Sequence, residues 1–205
     1  EPVALSWEEG DFDVIRDLLR RSEAAADMEV EVGVSDDVPA GSDLDQPALG
    51  AYCIPTPDST CWPSKDAWKD ELIEMLSVNA TTVLPYHVGY AQSNVMRNAQ
   101  MASYPATIVN VMTAEDVQVC MGFASKYGIR VTVKTTGHDY DGRSNGDGSL
   151  NINLSAMDWT TMVGDGSDQI RVGPGCAWND VYLEGAKWGL APVSGYDHTV
   201  GVSGL

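Results

Sequence analysis

Apolar residues recur along the chain with two different periods, and these periods mark out its helices and strands. From Ser64 onward, Trp68, Leu72, Met75 and Leu76 recur at helical spacing, with Lys65, Asp66, Lys69 and Glu71 left to face water. Val117, Cys120, Met121 and Ala124 predict a second buried stripe. Thr113 stands as its N-cap, Asp116 completes a capping box, and Gly128 supplies the stop. A third helix is expected over 178–188, ended by Gly189 and Pro192. Strict alternation marks strands: Ile129, Val131 and Val133 share one face of 129–134, and Leu150, Ile152 and Leu154 alternate in the next. Residues 107–111, just after Tyr104-Pro105, and 169–172 read as short strands. The order helix, β, α, β, β, β, α predicts a mixed α/β or α+β domain.

Ahead of this domain the pattern changes. Residues 11–26 could form a helix, with Phe12, Ile15, Leu18 and Leu19 as its stripe, and 35–50 (SDDVPAGSDLDQPALG) read as a solvated linker. The chain has 205 residues and a formal net charge of −18. Residues 1–60 hold 15 acidic and 3 basic side chains, so two thirds of that charge lies in the first 60 residues. Such a balance argues against nucleic acid and anionic membrane as partners, since both would be repelled. No stretch approaches the roughly 18 apolar residues of a membrane-spanning helix. The sequence starts at Glu1, which a cleaved signal or transit peptide would explain.

Four cysteines are present. Cys53 and Cys61 bracket a Pro-rich loop (CIPTPDSTC), a span that suits a local disulfide and an oxidising compartment better than a zinc site. Cys120 is expected in the core, and Cys176, after Gly-Pro-Gly, is ambiguous. Of the two glycosylation sequons, Asn79-Ala-Thr looks accessible, whereas Asn153-Leu-Ser falls inside a predicted strand. His87 sits among aromatics and reads as structural, and the six tryptophans are spread in a way that suits core packing.

The stretch richest in chemistry is 134–144 (KTTGHDYDGRS), directly after a predicted strand. It offers amides around Gly137 and Gly142, hydroxyls at Thr135, Thr136 and Ser144, and the imidazole of His138. Glycine lets a backbone approach a ligand closely, and consecutive amides form an anion nest, so the loop can wrap a diphosphate. Neither a Walker loop nor a G-x-G-x-x-G turn occurs. A calcium loop starting at Asp139 or Asp141 fails, because its twelfth position falls on Leu150 or Ile152. A metal cluster built from His138/Asp139 and Asp197/His198 is disfavoured by the adjacent spacing within each pair.

This loop resembles the flavin-anchoring loop of FAD-linked oxidases of the berberine-bridge-enzyme-like group, in the vanillyl-alcohol-oxidase superfamily. Other segments resemble that family in the same order: 61–68 (CWPSKDAW), 104–109 (YPATIV), 113–117 (TAEDV), 149–157, 173–182 and 194–204 (SGYDHTVGVSG). The resemblance covers about 60–205 and implies the first part of a PCMH-type FAD-binding domain, an α+β fold of mixed sheets flanked by helices. The charge pattern sets apart an acidic leader at 1–50, about which the resemblance says nothing, and the rest divides into an N-terminal segment with a helix at 51–103 and the first part of the flavin domain at 104–205.

By resemblance, His138 carries the flavin covalently on its 8α-methyl group, although a histidine that merely hydrogen-bonds in a glycine loop is the simpler alternative. Lys134, Thr135, Thr136, Gly137, Asp139, Tyr140, Gly142 and Ser144 are implied to line the cofactor from the first loop. Gly195, Thr199, Val200, Gly201 and Gly204 are implied to do so from the second. Many relatives carry a cysteine in the second loop that forms another flavin bond; Asp197 stands there instead, followed by His198, so a single link is expected. Val200 matches a position associated with oxygen access, which favours an oxidase over a dehydrogenase.

The implied function is that of an FAD-dependent oxidoreductase, secreted or lumenal, which passes electrons from a small organic substrate to oxygen. The catalytic base is expected outside this chain. The rest of the flavin domain and the substrate domain would come from further sequence or a second chain, and strands left unpaired by such a cut would be exposed edges. The competing expectation is a non-catalytic structural or assembly subunit that keeps a flavoenzyme-like fold.

Overall fold

The computed structural model describes residues 52–53, 60–164, 166 and 168–204. The predicted helix over 11–26 and the linker over 35–50 lie outside the described residues. A four-stranded sheet is built from β1 (Thr81–Val83), β2 (Thr107–Asn110), β3 (Val131–Lys134) and β4 (Leu150–Asn153). Its spatial order is β1-β2-β4-β3, with β1 antiparallel to β2 and the other three strands parallel. Helix α1 (Lys65–Glu71) precedes β1, the short α2 (Tyr90–Ser93) follows it, and α3 (Ala114–Tyr127) crosses from β2 to β3. A hairpin of β5 (Thr160–Met162) and β6 (Ile170–Val172) leads into α4 (Trp178–Lys187).

The ends of the helices follow local chemistry. Ser64 caps α1 by accepting from the Ala67 N–H at 3.2 Å. Thr113 and Asp116 form the expected capping box on α3, and Gly128 ends that helix at a φ of 65°. Asp116 does more than cap. Its buried carboxylate also accepts from the Ser77 N–H at 2.6 Å, the Ser77 hydroxyl at 2.8 Å and the Met112 N–H at 2.9 Å. One side chain thereby fixes the start of α3 to the segment that leaves α1.

The core lies between the sheet and these two helices. Trp68 and Leu72 of the α1 region meet Cys120, Phe123 and Ala124 of α3 over Val109, Leu150 and Ile152. The Trp68 and Phe123 rings are 4.7 Å apart. Two members of the predicted stripes are not in this core: Met75 is 62% exposed and Met121 is 49% exposed. Met75 belongs to a 3-10 turn (Ile73–Met75) rather than to α1, and its different pitch rotates the side chain outward. On α3, Phe123 fills the place expected of Met121. Trp159 and Trp188 are also substantially exposed, contrary to the core role expected of the tryptophans.

β3 departs from its expected polarity. Val131 and Val133 do share a face, but Val133 is 47% exposed while Thr132 and Lys134 are buried. The face opposite the apolar core carries a polar ladder across the sheet: Lys134, Asn153, Asn110 and Thr81 lie in register on successive strands. Asn153 Nδ2 donates to Asn110 Oδ1 at 2.8 Å, and Asn110 Nδ2 donates to Thr81 Oγ1 at 3.0 Å. Asn153 is therefore closed to modification by its burial, whereas Asn79 is exposed. Cys53 and Cys61 form a disulfide, and Cys120 and Cys176 are buried free thiols. Burial pushes the Cys120 thiol up to about 12.

Candidate functional site

Neighbouring parallel strands need a crossover, and between β3 and β4 that crossover is the loop 135–149 instead of a helix. It leaves the carboxyl end of β3, the edge at which open parallel sheets bind ligands. Buried Asn145 anchors it, donating from Nδ2 to Asn94 Oδ1 at 2.5 Å and to the Ser103 carbonyl at 3.1 Å. The Arg97 N–H donates to the Gly137 carbonyl at 2.8 Å, which pins the loop from behind. Gly137 has a φ of 75°, and a Cβ there would lie 2.6 Å from the Val95 carbonyl oxygen, so only glycine fits.

A second loop, 194–204, closes on the first through three side chains. The Thr135 and Ser203 hydroxyls are 2.5 Å apart, the Gly201 N–H donates to Thr136 Oγ1 at 2.9 Å, and His138 Nε2 lies 2.8 Å from Thr199 Oγ1. Between the loops and the edge strand β3 lies a cleft of about 710 Å³. Val131, Thr132 and Val133 all line it, so the cleft runs along the free edge of the sheet, while Val131 also packs against the core.

Most of the residues expected at a cofactor converge here. Thr135, Thr136, Gly137, His138, Asp139, Tyr140, Ser144, Val200, Gly201 and Gly204 all line the cleft. Thr199 stands behind His138, joined to it by the hydrogen bond above. Gly142 turns the loop at a φ of 75° and packs toward Met101. Gly195 lies outside the cleft lining, and so does Lys134, which is buried opposite Asn153. Among the described residues, no acceptor lies within hydrogen-bonding distance of the Lys134 amine, and burial pushes its pKa down.

Arg143, Asp141 and Ser203, within the two expected loops, also line the cleft, whereas Val131, Thr132, Val133 and Leu154 line it from outside them. Arg143 reaches back to Asp139, with Nη2 to Oδ1 at 2.8 Å, and to Asp141 at 3.3 Å. The guanidinium beside Asp139 holds that carboxyl below the usual carboxylate range against the opposing effect of burial. One signal was available: the loop places Arg143 at i+4 from Asp139, where a short turn brings the two together. A property of the backbone completes the site. Among the described residues, the N–H groups of Thr136, Gly137, His138, Asp139 and Tyr140 donate to no protein acceptor, although Gly137 is buried. Unanswered backbone donors of this kind make an anion-binding concavity.

Residues 105–205 match the model of an FAD binding domain. That stretch is similar to the FAD-binding family. The chain is 29% identical over 212 residues to an uncharacterized FAD-linked oxidoreductase of Arthroderma benhamiae, covering 76% of this chain and 36% of that protein. It is 32% identical over 111 residues to the VAO-type flavoprotein oxidase VAO615 of Thermothelomyces thermophilus, covering 51% and 19%. Its fold is that of the BBE-like 1 protein of Physcomitrella patens, with a TM-score of 0.58 at 23% identity, over 66% of this chain and 29% of that one. The chain thus spans only 36% and 19% of the length of these two curated relatives. The resemblance drawn from the sequence holds over part of the chain, and the mixed sheet with flanking helices is that of an FAD-binding domain.

The residues at the cleft fit that cofactor. Amides without protein acceptors suit a diphosphate, Val131 and Val133 on the edge strand β3 offer apolar surface, and His138 lines the cleft and bonds across to the second loop. Among the described residues, no cluster of three or more His, Cys, Asp or Glu side chains could hold a metal ion, and no helix is long and apolar enough to cross a membrane.

Proposed function

We propose that this chain is the flavin-anchoring portion of an FAD-dependent oxidase, with His138 holding the flavin covalently through its 8α-carbon. The observation that carries the reading is the placement of His138: it lines the cleft beside acceptor-free amides, inside a stretch similar to the FAD-binding family. When bound, FAD supplies the redox chemistry, accepting two electrons from an organic substrate and returning them to dioxygen. The protein's own part is binding and orientation. The amides of 136–140 receive the diphosphate, and the Thr135–Ser203 and Thr136–Gly201 bonds hold the two loops at a fixed separation. Val200, small and at the cleft, leaves room for oxygen to reach the ring.

The Cys53–Cys61 disulfide is compatible with an oxidising compartment, and we assign the protein to a secreted or lumenal location, with Asn79 as the glycan acceptor. The test is direct. Full-length protein, denatured in acid and washed, stays yellow, and its digest contains a flavin-bearing peptide with His138. Colourless denatured protein with an unmodified His138 peptide would remove the covalent reading. If the native protein also lacked flavin, the non-catalytic subunit would take its place.

A further inference from the structure

The hydrogen bonds behind His138 run in one direction. The Thr199 hydroxyl donates to Asp197 Oδ1 at 2.8 Å, and the Thr199 N–H donates to the same oxygen at 2.8 Å. A threonine hydroxyl has one proton, and here the carboxylate takes it. Across the 2.8 Å contact between His138 Nε2 and Thr199 Oγ1, the imidazole must therefore be the donor. His138 is thus held with its proton on Nε2, and Nδ1 keeps its lone pair. Among the described residues, no protein group bonds Nδ1.

We infer that Asp197 and Thr199 are positioning residues for flavin attachment. They fix the His138 tautomer and remove the Nε2 proton as Nδ1 forms its bond. This inference rests on the reading that His138 carries the flavin. Attachment forms a bond between Nδ1 and the 8α-carbon and breaks one C–H bond at that carbon. The imidazole passes its Nε2 proton to Thr199 as Thr199 passes its own to Asp197. The two electrons of the broken C–H bond enter the flavin ring and its proton passes to water; dioxygen then takes those electrons, with that proton and the one relayed to Asp197, and leaves as hydrogen peroxide. Without the relay, the proton can sit on Nδ1, where it blocks the nucleophile, and the attached ring is left cationic. The Asp197 carboxylate is kept ionised for this role. The Thr199 N–H and hydroxyl bonds, with the imidazoles of His138 and His198 nearby, hold it below the usual carboxylate range against burial.

The experiment adds FAD to full-length apoprotein and follows the fraction of bound flavin that survives acid precipitation, so weaker uptake does not count as slower attachment. Thr199→Val and Asp197→Asn should slow attachment at least about tenfold, and Thr199→Ser, which keeps the hydroxyl, should return it to within about threefold of the parent. Parental rates in both Thr199→Val and Asp197→Asn overturn the relay and leave the His138 reading standing. A parent protein that never attaches flavin overturns both. Should the variants fail to fold, the parent alone decides. Nitrogen-15 NMR of the His138 ring in apoprotein must show the proton on Nε2, and a proton on Nδ1 overturns the inference.

Discussion

Gly201 holds the clasp between the two flavin loops, and Gly201→Ala tests whether that clasp shapes the cleft. A Cβ at 201 would lie 2.7 Å from Thr135 Cγ2, 2.9 Å from Thr135 Cβ and 3.3 Å from Thr136 Oγ1. Ordinary carbon contacts fall at about 3.5–4.0 Å, so the nearest overlap is roughly 1 Å. Retreat is blocked on the other side, where Gly201 bridges Ala177 and its neighbours bond the start of α4: the Trp178 N–H donates to the Val200 carbonyl at 3.0 Å, and the Val202 N–H donates to that of Cys176 at 2.9 Å. Strain of this kind costs about 1–3 kcal/mol, and it also threatens the Gly201–Thr136 bond. Taking about 2 kcal/mol as felt by the cofactor-binding geometry, FAD affinity should fall roughly thirtyfold. The assay is fluorescence titration of full-length apoprotein carrying His138→Ala, which keeps binding reversible. Adding Thr135→Ser removes the nearest methyl and should recover part of the loss, because the 2.9 Å contact remains. Binding within threefold of the parent would refute the idea that the loop–loop clasp sets the cleft.

Three further outcomes are expected. Asp116→Asn places an amide among N–H and hydroxyl donors and should cost about 3 kcal/mol in denaturant unfolding at neutral pH. Burial opposes ionisation of Asp116, but the bonds from Ser77, Met112 and Thr113 outweigh it and lower its folded pKa, so the stabilisation is present above the ordinary carboxylate range and disappears as pH falls through the folded pKa. The gap between parent and Asp116→Asn should therefore narrow below about pH 4, and a gap independent of pH would contradict the account. Cys53→Ser with Cys61→Ser opens a bridge between residues 8 apart and should cost roughly 2.5 kcal/mol by loop-closure entropy, read as a lower thermal midpoint that reductant no longer shifts. Lys134→Met removes a buried cation that has no acceptor among the described residues, and should leave stability unchanged or raise it by about 1 kcal/mol; a clear loss would reveal a partner for the amine.

Helix existence and the chemical loop were legible because their signals are local. The Thr113/Asp116 capping box, the Gly128 stop and the run of glycines and hydroxyls from Thr135 to Ser144 each depend on a few adjacent residues. Three short elements escaped for the opposite reason: β1, α2 and β5 span only three or four residues, and their stability comes from pairing with distant partners. β3 shows how a correct period can be only partly buried. Val131 and Val133 lie in register with Leu150 and Ile152 of the core, but β3 is the edge strand, so Val133 stays half exposed at the cleft while the opposite face is a row of polar side chains joined across the sheet. The Asp116 tie to Ser77 was likewise invisible, since its partner is 39 residues away. Within the site, residues that touch the cleft were found by motif, whereas the orientation of His138 by Asp197 and Thr199 needed hydrogen-bond directions that no sequence carries.

Net charge is the feature whose meaning changes most once the site is described. A value of −18 argues against recognition of polyanions, which works through many lysines and arginines neutralising many phosphates. It does not exclude one diphosphate. Arg143 is the single lysine or arginine among the residues lining the cleft, and it is already paired with Asp139 and Asp141, so in the proposed reading affinity for the diphosphate cannot rest on side-chain cations. It rests on the amides of 136–140, whose dipoles are fixed by the turn at Gly137 and insulated from the overall charge by their short range. Backbone recognition of this kind leaves almost no trace in composition. An acidic chain can therefore bind an anionic cofactor through a few correctly turned peptide groups while still repelling nucleic acid and anionic membrane.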